Sequence, residues 1–442
     1  MPSLTSYIKQ IPKNNLAFVT KNKTTTYADI LNIYEKNIKT IGELQKFSVV
    51  LRGFNRYEFS ILLCLLDGNV SQILFLPSDI DNTLANTYIA NLNINYTLEF
   101  KDDVLKYTKI NETNSTNKIL DTKWIIPTSG TTSTPKLVVH TLKSLTTSTK
   151  TDIKNGFNFN WGLVFDIYRF SGIQVFLQSF LSGSTLIIAN EDDDIQSIMT
   201  LFYKYNCNTI SATPSFYIKA LMTKEFLKLN LKNITLGGEI ASQNILNSLS
   251  NSFKNANIRH IYASTEAGVG FSIDDKKEGF PKSYLDNGIN NIQLRINEKR
   301  ILLIKAKQSS QKYQDDKNMY DKNGYINTDD LVQIKDNRVY FLGRNSGAIN
   351  VGGNKVIPEE IEKVLLEYHL IQNAYVFAKK SNIMGSLVYA NITLKNSSLD
   401  VKEIKKDIIN HCKKHMESFK VPAILKVVES IDITSSGKIK RG

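Results

Sequence analysis

From residue 124 the chain alternates between short β-rich apolar runs and helical stretches, and this limits the fold more than any other feature. The runs "WGLVFDI" (161–167), "TLIIAN" (185–190), "NTISAT" (208–213) and "NITLGG" (233–238) are separated by helical patterns at 172–181, 194–205, 214–229 and 241–254. Strand and helix in strict alternation predict a parallel sheet covered by helices, because a parallel return needs a crossover long enough to form a helix. Residues 1–108 mix short helical and strand patterns, 109–123 ("KINETNSTNKILDTK") reads as a polar connection, and 305–330 is long, polar and turn-rich. At Pro358 the grammar changes: "PEEIEKVLLEY" starts a helix with Pro and acids in its first turn, and "NAYVFA", "SLVYANITL", a helix at 399–416 and "AILKVVESI" follow. The expectation is an α/β protein with a large N-terminal body (residues 1–342) on a parallel-sheet core and a small α+β unit (residues 346–442).

Composition narrows the function classes. No stretch reaches the roughly 18 consecutive apolar residues of a membrane span; "FSILLCLL" (59–66) runs into Asp67 and Gly68. The N-terminal "MPSLTSYIKQIPKNN" lacks an apolar signal core, so a cytoplasmic location is expected. The 3 cysteines, Cys64, Cys207 and Cys412, are far apart and form neither a disulfide framework nor a zinc set. A net charge of +13 suits an acidic partner or a polyphosphate, yet Lys is spread along the chain and no nucleic-acid-binding motif is present, so nucleic acid is not expected.

The stretch "IIPTSGTTSTPK" (125–136) follows an apolar strand. It lacks the Walker spacing, because Lys136 follows Pro135 and not Gly. What remains is a hydroxyl-rich turn whose N–H and O–H groups can wrap phosphate oxygens, with Lys136 adding charge. Four stretches follow it in order: "YASTEAG" (262–268), "GYINTDDLV" (324–332), "GRNSGAINVGGNKVIPEEIE" (343–362) and "SSGKIKRG" (435–442).

Together these stretches resemble the signature series of the adenylate-forming superfamily, which comprises acyl-CoA synthetases, aryl-CoA ligases and the adenylation domains of peptide synthetases. The resemblance implies that a carboxylic acid and MgATP give an acyl-adenylate and pyrophosphate, followed by transfer to a thiol, either CoA or the phosphopantetheine of a carrier. It implies that Thr128, Ser129, Gly130, Thr131, Thr132 and Lys136 grip the β- and γ-phosphates and that Tyr262 stacks on adenine. Thr265 would touch the α-phosphate and Glu266 would hold Mg²⁺, a hard cation suited to carboxylate. Asp330 would accept the ribose hydroxyls with Arg344 beside it, and Gly238 and Glu239 would line the adenine and acyl pockets. Lys438 would bridge the acid and the α-phosphate, where two anions must meet. Ser346 would be the hinge of a mobile C-terminal lid, and the loop at Gly352 and Gly353 would lie beside the pantetheine arm. Ser133 and Asp329 stand where the family has Gly, and Gly347 where an Asp usually follows the hinge.

Two alignments of "FDIYRFSGIQ" (165–174) compete. In one, Asp166 binds the α-ammonium of an amino acid and Phe170 is an aromatic gate. In the other, Arg169 takes the gate position and pairs with a second carboxylate or a phosphate. Asp166 is equally read as a strand-end residue capping the next helix. The substrate is therefore a small carboxylic or amino acid, an acyl carrier protein is a candidate partner, and a relative that binds nucleotide without turnover is the non-enzymatic alternative. "HCKKH" (411–415) reads as a helix face and not a metal pair, because no Glu follows the first His. "EDDD" (191–194) reads as the acidic start of the following helix.

Overall fold

The computed structural model describes residues 3–112, 121–128, 135–147, 149, 151–264, 268–306, 312–313, 320–351, 354–381, 385–395 and 401–431. The alternating segment builds most of an 8-stranded sheet. Asn160–Leu163, Thr185–Ile188, Thr209–Ala212, Asn233–Leu236 and Asn257–Ser264 pair in parallel, with Leu16–Val19 added beyond Thr185–Ile188. The helices Ile195–Lys204, Pro214–Ala220 and Gln243–Ser252 contribute to the hydrophobic cluster on one face, where they meet Ile210, Ile234 and Ile258. The alternate positions Ser211, Thr235 and Arg259, which share one register row, turn to the other face.

The parallel-sheet core of the body comprises a second sheet as well. Ser48–Leu51, Gln72–Phe75, Tyr96–Lys101 and Lys123–Pro127 pair in parallel within a 7-stranded sheet. Thus the strand that leads into "TSGTTSTPK" belongs to this sheet. One hydrophobic cluster joins strands of both sheets to the helices Arg56–Leu66 and Phe170–Leu181. In Arg56–Leu66 every residue from Phe59 to Leu66 is buried, which explains a run that is apolar on all sides without being a membrane span. Among the described residues no helix is long and apolar enough to cross a membrane.

The N-terminal helix Leu4–Ile8 is held on this core by a buried carboxylate. Asp67 accepts hydrogen bonds from Leu4 N (3.0 Å) and Trp124 Nε1 (2.9 Å). Burial outweighs those bonds and pushes its pKa up to about 6. Because the folded value lies above the ordinary 3.8, the stabilisation that protonation lends is complete below the ordinary value and is lost as pH rises through 6. We expect the difference in melting temperature between the wild type and Asp67→Asn to shrink as pH rises from 4 to 7, equivalent to about 2–3 kcal/mol in all. A difference that stays constant with pH would show that Asp67 does not titrate in this window.

The stretch 305–330, expected to be turn-rich, overlaps three strands, Ile301–Ala306, Lys312–Tyr313 and Ile326–Lys335, while 307–311 and 314–319 lie outside the described residues; the first and last of these strands join Arg338–Arg344 in a 5-stranded antiparallel sheet. The small C-terminal unit has its own sheet and its own core. Ile371–Ser381 pairs antiparallel with Gly385–Leu394, Ile424–Val427 adds in parallel, and the helices Pro358–Glu367 and Val401–His415 contribute Ile361, Leu365, Ile408 and Cys412. His411 Nε2 donates to Val364 O (3.1 Å) and His415 Nδ1 to His411 O (2.8 Å), so both histidines hydrogen-bond to backbone. In "EDDD", Asp194 caps the following helix by accepting from Ser197 N (2.7 Å).

Candidate active site

The C-terminal unit closes over the end of the body where Arg338–Arg344 meets Pro358–Glu367. Gly343 sits at φ 144, a conformation that strains other residues, and a Cβ there would also crowd Ile357 Cγ2 at 2.6 Å, so glycine suits this junction. Lys363 Nζ adds an ion pair to Glu278 Oε1 across the junction (2.6 Å). Between the units lies a cleft of about 2040 Å³, lined by the ends of the parallel strands on one side and by Glu360 and Lys363 on the other. Openings beyond the carboxyl ends of parallel strands are where α/β folds bind ligands.

Tyr262, Asp330 and Arg344 all line this cleft and form one connected unit. The Tyr262 hydroxyl donates a short hydrogen bond to Asp330 Oδ2, and Arg344 Nε lies 3.2 Å from Asp330 Oδ1. Asp330 and Arg344 are register partners on adjacent strands, which fixes the ion pair. The Tyr262 ring lies parallel to those of Phe271 and Phe341, at 5.5 and 5.2 Å. Desolvation first, and then the charge of Asp330, push its phenol well above the ordinary tyrosine range, so it stays a donor at neutral pH.

The base of the hydroxyl-rich turn is tied at both ends. Thr128 N donates to Lys136 O (2.8 Å) and Lys136 N to Thr128 Oγ1 (3.0 Å). Tyr88 donates a short hydrogen bond to Pro135 O. Arg169 grips the incoming strand: its guanidinium donates to Pro127 O (3.3 Å) and Thr128 O (3.0 Å) and forms a two-pronged ion pair with Asp79 (2.6 and 2.7 Å). This side chain is almost fully buried, while also lining the cleft. Thr128 lines the cleft and is buried; the Lys136 side chain is not among the lining groups.

Asp166 is buried, and its carboxylate accepts from Tyr168 N (2.9 Å) with Arg169 Nε 4.0 Å away. It is not among the residues lining the cleft. The expected capping of the next helix is not found, because the helix Phe170–Leu181 has Arg169 at its N-cap and no side-chain cap; Asp166 instead accepts within its own turn. The tight fit there also needs Gly172, whose Cβ would fall 2.2 Å from Asp166 O. Phe170 lines the cleft and packs on His140 (5.7 Å). Gly238 (φ 81) and Glu239 reach it as well, with Glu239 Oε2 accepting from Ser215 N and Oγ (3.0 and 2.7 Å). Ser129, Gly130, Thr131, Thr132, Thr265, Glu266, Gly352, Gly353 and Lys438 lie outside the described residues.

Sequence reasoning missed how Asp329 works. It occupies φ 63, the left-handed region where glycine is favoured, which accounts for the glycine that the superfamily pattern has here. Its side chain adds something glycine lacks: Oδ1 accepts from Asn345 Nδ2 and Oδ2 from Ser346 N, both at 3.1 Å. Lys355 Nζ donates to the other end of Asn345 through a short hydrogen bond. Asp329 therefore fastens the backbone at Ser346, between body and C-terminal unit.

The family model described as "AMP-binding enzyme" matches residues 74–296, and that of the "AMP-binding enzyme C-terminal domain" matches residues 360–438. The chain belongs to the AMP-binding enzyme family. Among curated AMP-binding relatives, a 2-succinylbenzoate–CoA ligase of Listeria innocua is 24% identical over 456 residues, covering 96% of this chain and 95% of the relative. An oxalate–CoA ligase of Saccharomyces cerevisiae is 26% identical over 73% of this chain and 62% of its own length. Among solved structures, an anthranilate CoA ligase in complex with anthranoyl-AMP superposes with a TM-score of 0.79 at 14% identity, covering 100% of this chain and 96% of that one. The o-succinylbenzoate CoA synthetase of Bacillus subtilis with its acyl-adenylate intermediate gives 0.74 at 16% identity, covering 100% and 97%. The chain is thus an adenylate-forming enzyme in both sequence family and fold.

Proposed function

We propose that this chain is an acid–CoA ligase. A carboxylate oxygen attacks the α-phosphorus of ATP and pyrophosphate leaves; the CoA thiolate then attacks the acyl carbon and AMP leaves. The unit of Tyr262, Asp330 and Arg344 at the mouth of the cleft carries this reading. The reading is supported by an aromatic ring beside a carboxylate, the two kinds of group that would take a ribonucleoside's base and hydroxyls. Mg²⁺, when bound, would neutralise phosphate charge. We assign its protein ligand to Glu266, whose carboxylate suits a hard cation.

CoA is preferred over a carrier protein because the curated relatives above are named as CoA ligases. The geometry of Asp166, engaged with its own turn and away from the cleft lining, weighs against recognition of an amino acid's ammonium. The test is acid-dependent exchange of labelled pyrophosphate into ATP, with a panel of carboxylic and amino acids. Exchange with carboxylic acids is expected; ATP binding with no exchange for any acid would favour the nucleotide-binding alternative.

The clasp at Asp329 predicts a shift between the half-reactions if the lid swings about Ser346. Asp329→Gly keeps the backbone conformation accessible and deletes both hydrogen bonds to the hinge. We expect the ratio of adenylate formation to thioester formation to change by about five- to tenfold, the effect of one or two such bonds. The same ratio in both proteins would mean that this carboxylate does not restrain the lid.

A further inference from the structure

In the strand Asn257–Ser264, Arg259 lines the cleft on the same face as Ser211 and Thr235. Its Nε is buried with no hydrogen-bond partner, and no ion pair or hydrogen bond engages its guanidinium among the described residues. This is unusual for a partly buried arginine, because a charge withdrawn from water without a partner is costly. Arg169 and Arg338 show the ordinary solution in this chain, since each is paired with a carboxylate and with backbone carbonyls. Toward the middle of the sheet the neighbours of Arg259 are neutral: Ser211 and Thr235 share its register row, and Trp161, whose Nε1 is also buried without a partner, lies in the next; on the outer side the register continues to the exposed Asp274, with no ion pair between the two. A parallel sheet covered on both faces is ordinarily apolar on both. Here one face is Ile210, Ile234 and Ile258, and the other is polar and opens on the cleft.

We propose that Arg259 is the subsite for a second carboxylate on the acid, so that the preferred substrate is a dicarboxylic acid activated at one end. Arg259 precedes Tyr262 by three residues, which places its Cα about 10 Å along the strand from the nucleoside-side residue and its side chain on the opposite face, so the acid would pass the strand's end and run along the face of Ser211 and Thr235. The adenylated carboxylate belongs near Tyr262 and Asp330, and the second one lies deeper in the cleft. The planar fork of a guanidinium matches a carboxylate with two parallel hydrogen bonds, and the hydroxyls of Ser211 and Thr235 lie in the same row. A monocarboxylic acid of the same length would leave this half-buried guanidinium without a carboxylate to match it, and a site built for a polar group discriminates against a ligand lacking that group.

The inference rests on the acid-activating reading, and one experiment separates their failures. Acid-dependent pyrophosphate exchange is measured for matched pairs of mono- and dicarboxylic acids, aliphatic and aromatic, with wild type, Arg259→Gln and Arg259→Lys. Wild type should prefer the dicarboxylic member by about a hundredfold in kcat/KM, Arg259→Gln should bring that ratio near unity, and Arg259→Lys should retain part of it. Should the glutamine variant fail to fold, by melting in the presence of ATP, the lysine variant decides alone. A wild-type enzyme that uses monocarboxylic acids equally well, or a ratio unmoved by the substitution, overturns the subsite while leaving acid activation in place. No exchange with any acid overturns acid activation and this subsite together.

Discussion

Asp330→Ala is expected to raise the KM for ATP by about a hundredfold while leaving the fold nearly unchanged. In the proposed role, two ribose hydroxyls donate to this carboxylate, and hydrogen bonds to a charged group contribute about 1.5–3 kcal/mol each. Two such bonds lost, less partial replacement by water, give a deficit of about 3 kcal/mol, or a hundredfold. The substitution also strips Tyr262 of its hydrogen-bond acceptor and Arg344 of its ion-pair partner, so the aromatic surface loses its fixed position as well. The measurement is a titration of ATP and of 2′-deoxy-ATP in both proteins. Wild type should favour ATP over the deoxynucleotide and the variant should treat them alike. An unchanged KM in the variant would remove Asp330 from the ribose.

The second large effect concerns Arg169, for which the sequence offered a role as substrate gate. In the structure its guanidinium is engaged by Asp79 and by the carbonyls of Pro127 and Thr128, at the root of the hydroxyl-rich turn. Arg169→Ala leaves those two carbonyls and Asp79 without their donor. The cost should be roughly 3 kcal/mol, at the low end for a broken buried ion pair because the Asp79 side chain is 42% exposed and can be hydrated. Chemical denaturation should show that loss, and the KM for ATP should rise because the turn is no longer anchored. Asp79→Asn, which keeps the bonds to the carbonyls, should show the smaller effect on both readings. If instead Arg169→Ala alters the KM for the acid, with stability and the KM for ATP intact, the side chain is the substrate gate after all.

These residues mark where sequence reading stops. The sheet Asn160–Ile188–Leu236 side of the body was legible because each strand is separated from the next by a helix of matching period, a local signal. The second sheet was not, since its four-residue strands Ser48–Leu51 and Gln72–Phe75 carry too little period to separate strand from buried helix. Asp79 lies 90 positions from Arg169, and Asp330 lies 68 from Tyr262, so neither contact has a local signature. For Asp166, whose residue type suits both an ammonium ligand and a helix cap, the structure shows neither cleft lining nor capping of the helix that follows, and the hydrogen bond from Tyr168 N ties it to its own turn. Asp329 was visible as a departure from glycine, and its φ of 63 supplies the reason that glycine is usual. Its grip on Asn345 and Ser346 depends on the pairing of two strands and was beyond reach. Arg259 was legible only as a charge within a strand, with nothing in the sequence to say that it would face a cleft without a partner.

The central claim is that one chain carries out two chemically distinct steps, and a single-turnover experiment tests it most directly. Enzyme, MgATP and a pooled panel of carboxylic acids are mixed without CoA, and nucleotide products are followed before and after CoA is added. The account predicts that about one pyrophosphate per enzyme is released with an acyl-adenylate retained, and that CoA then yields AMP and an acyl thioester in equal amounts. Release of ADP and inorganic phosphate, or AMP formation that ignores both acid and CoA, would contradict it.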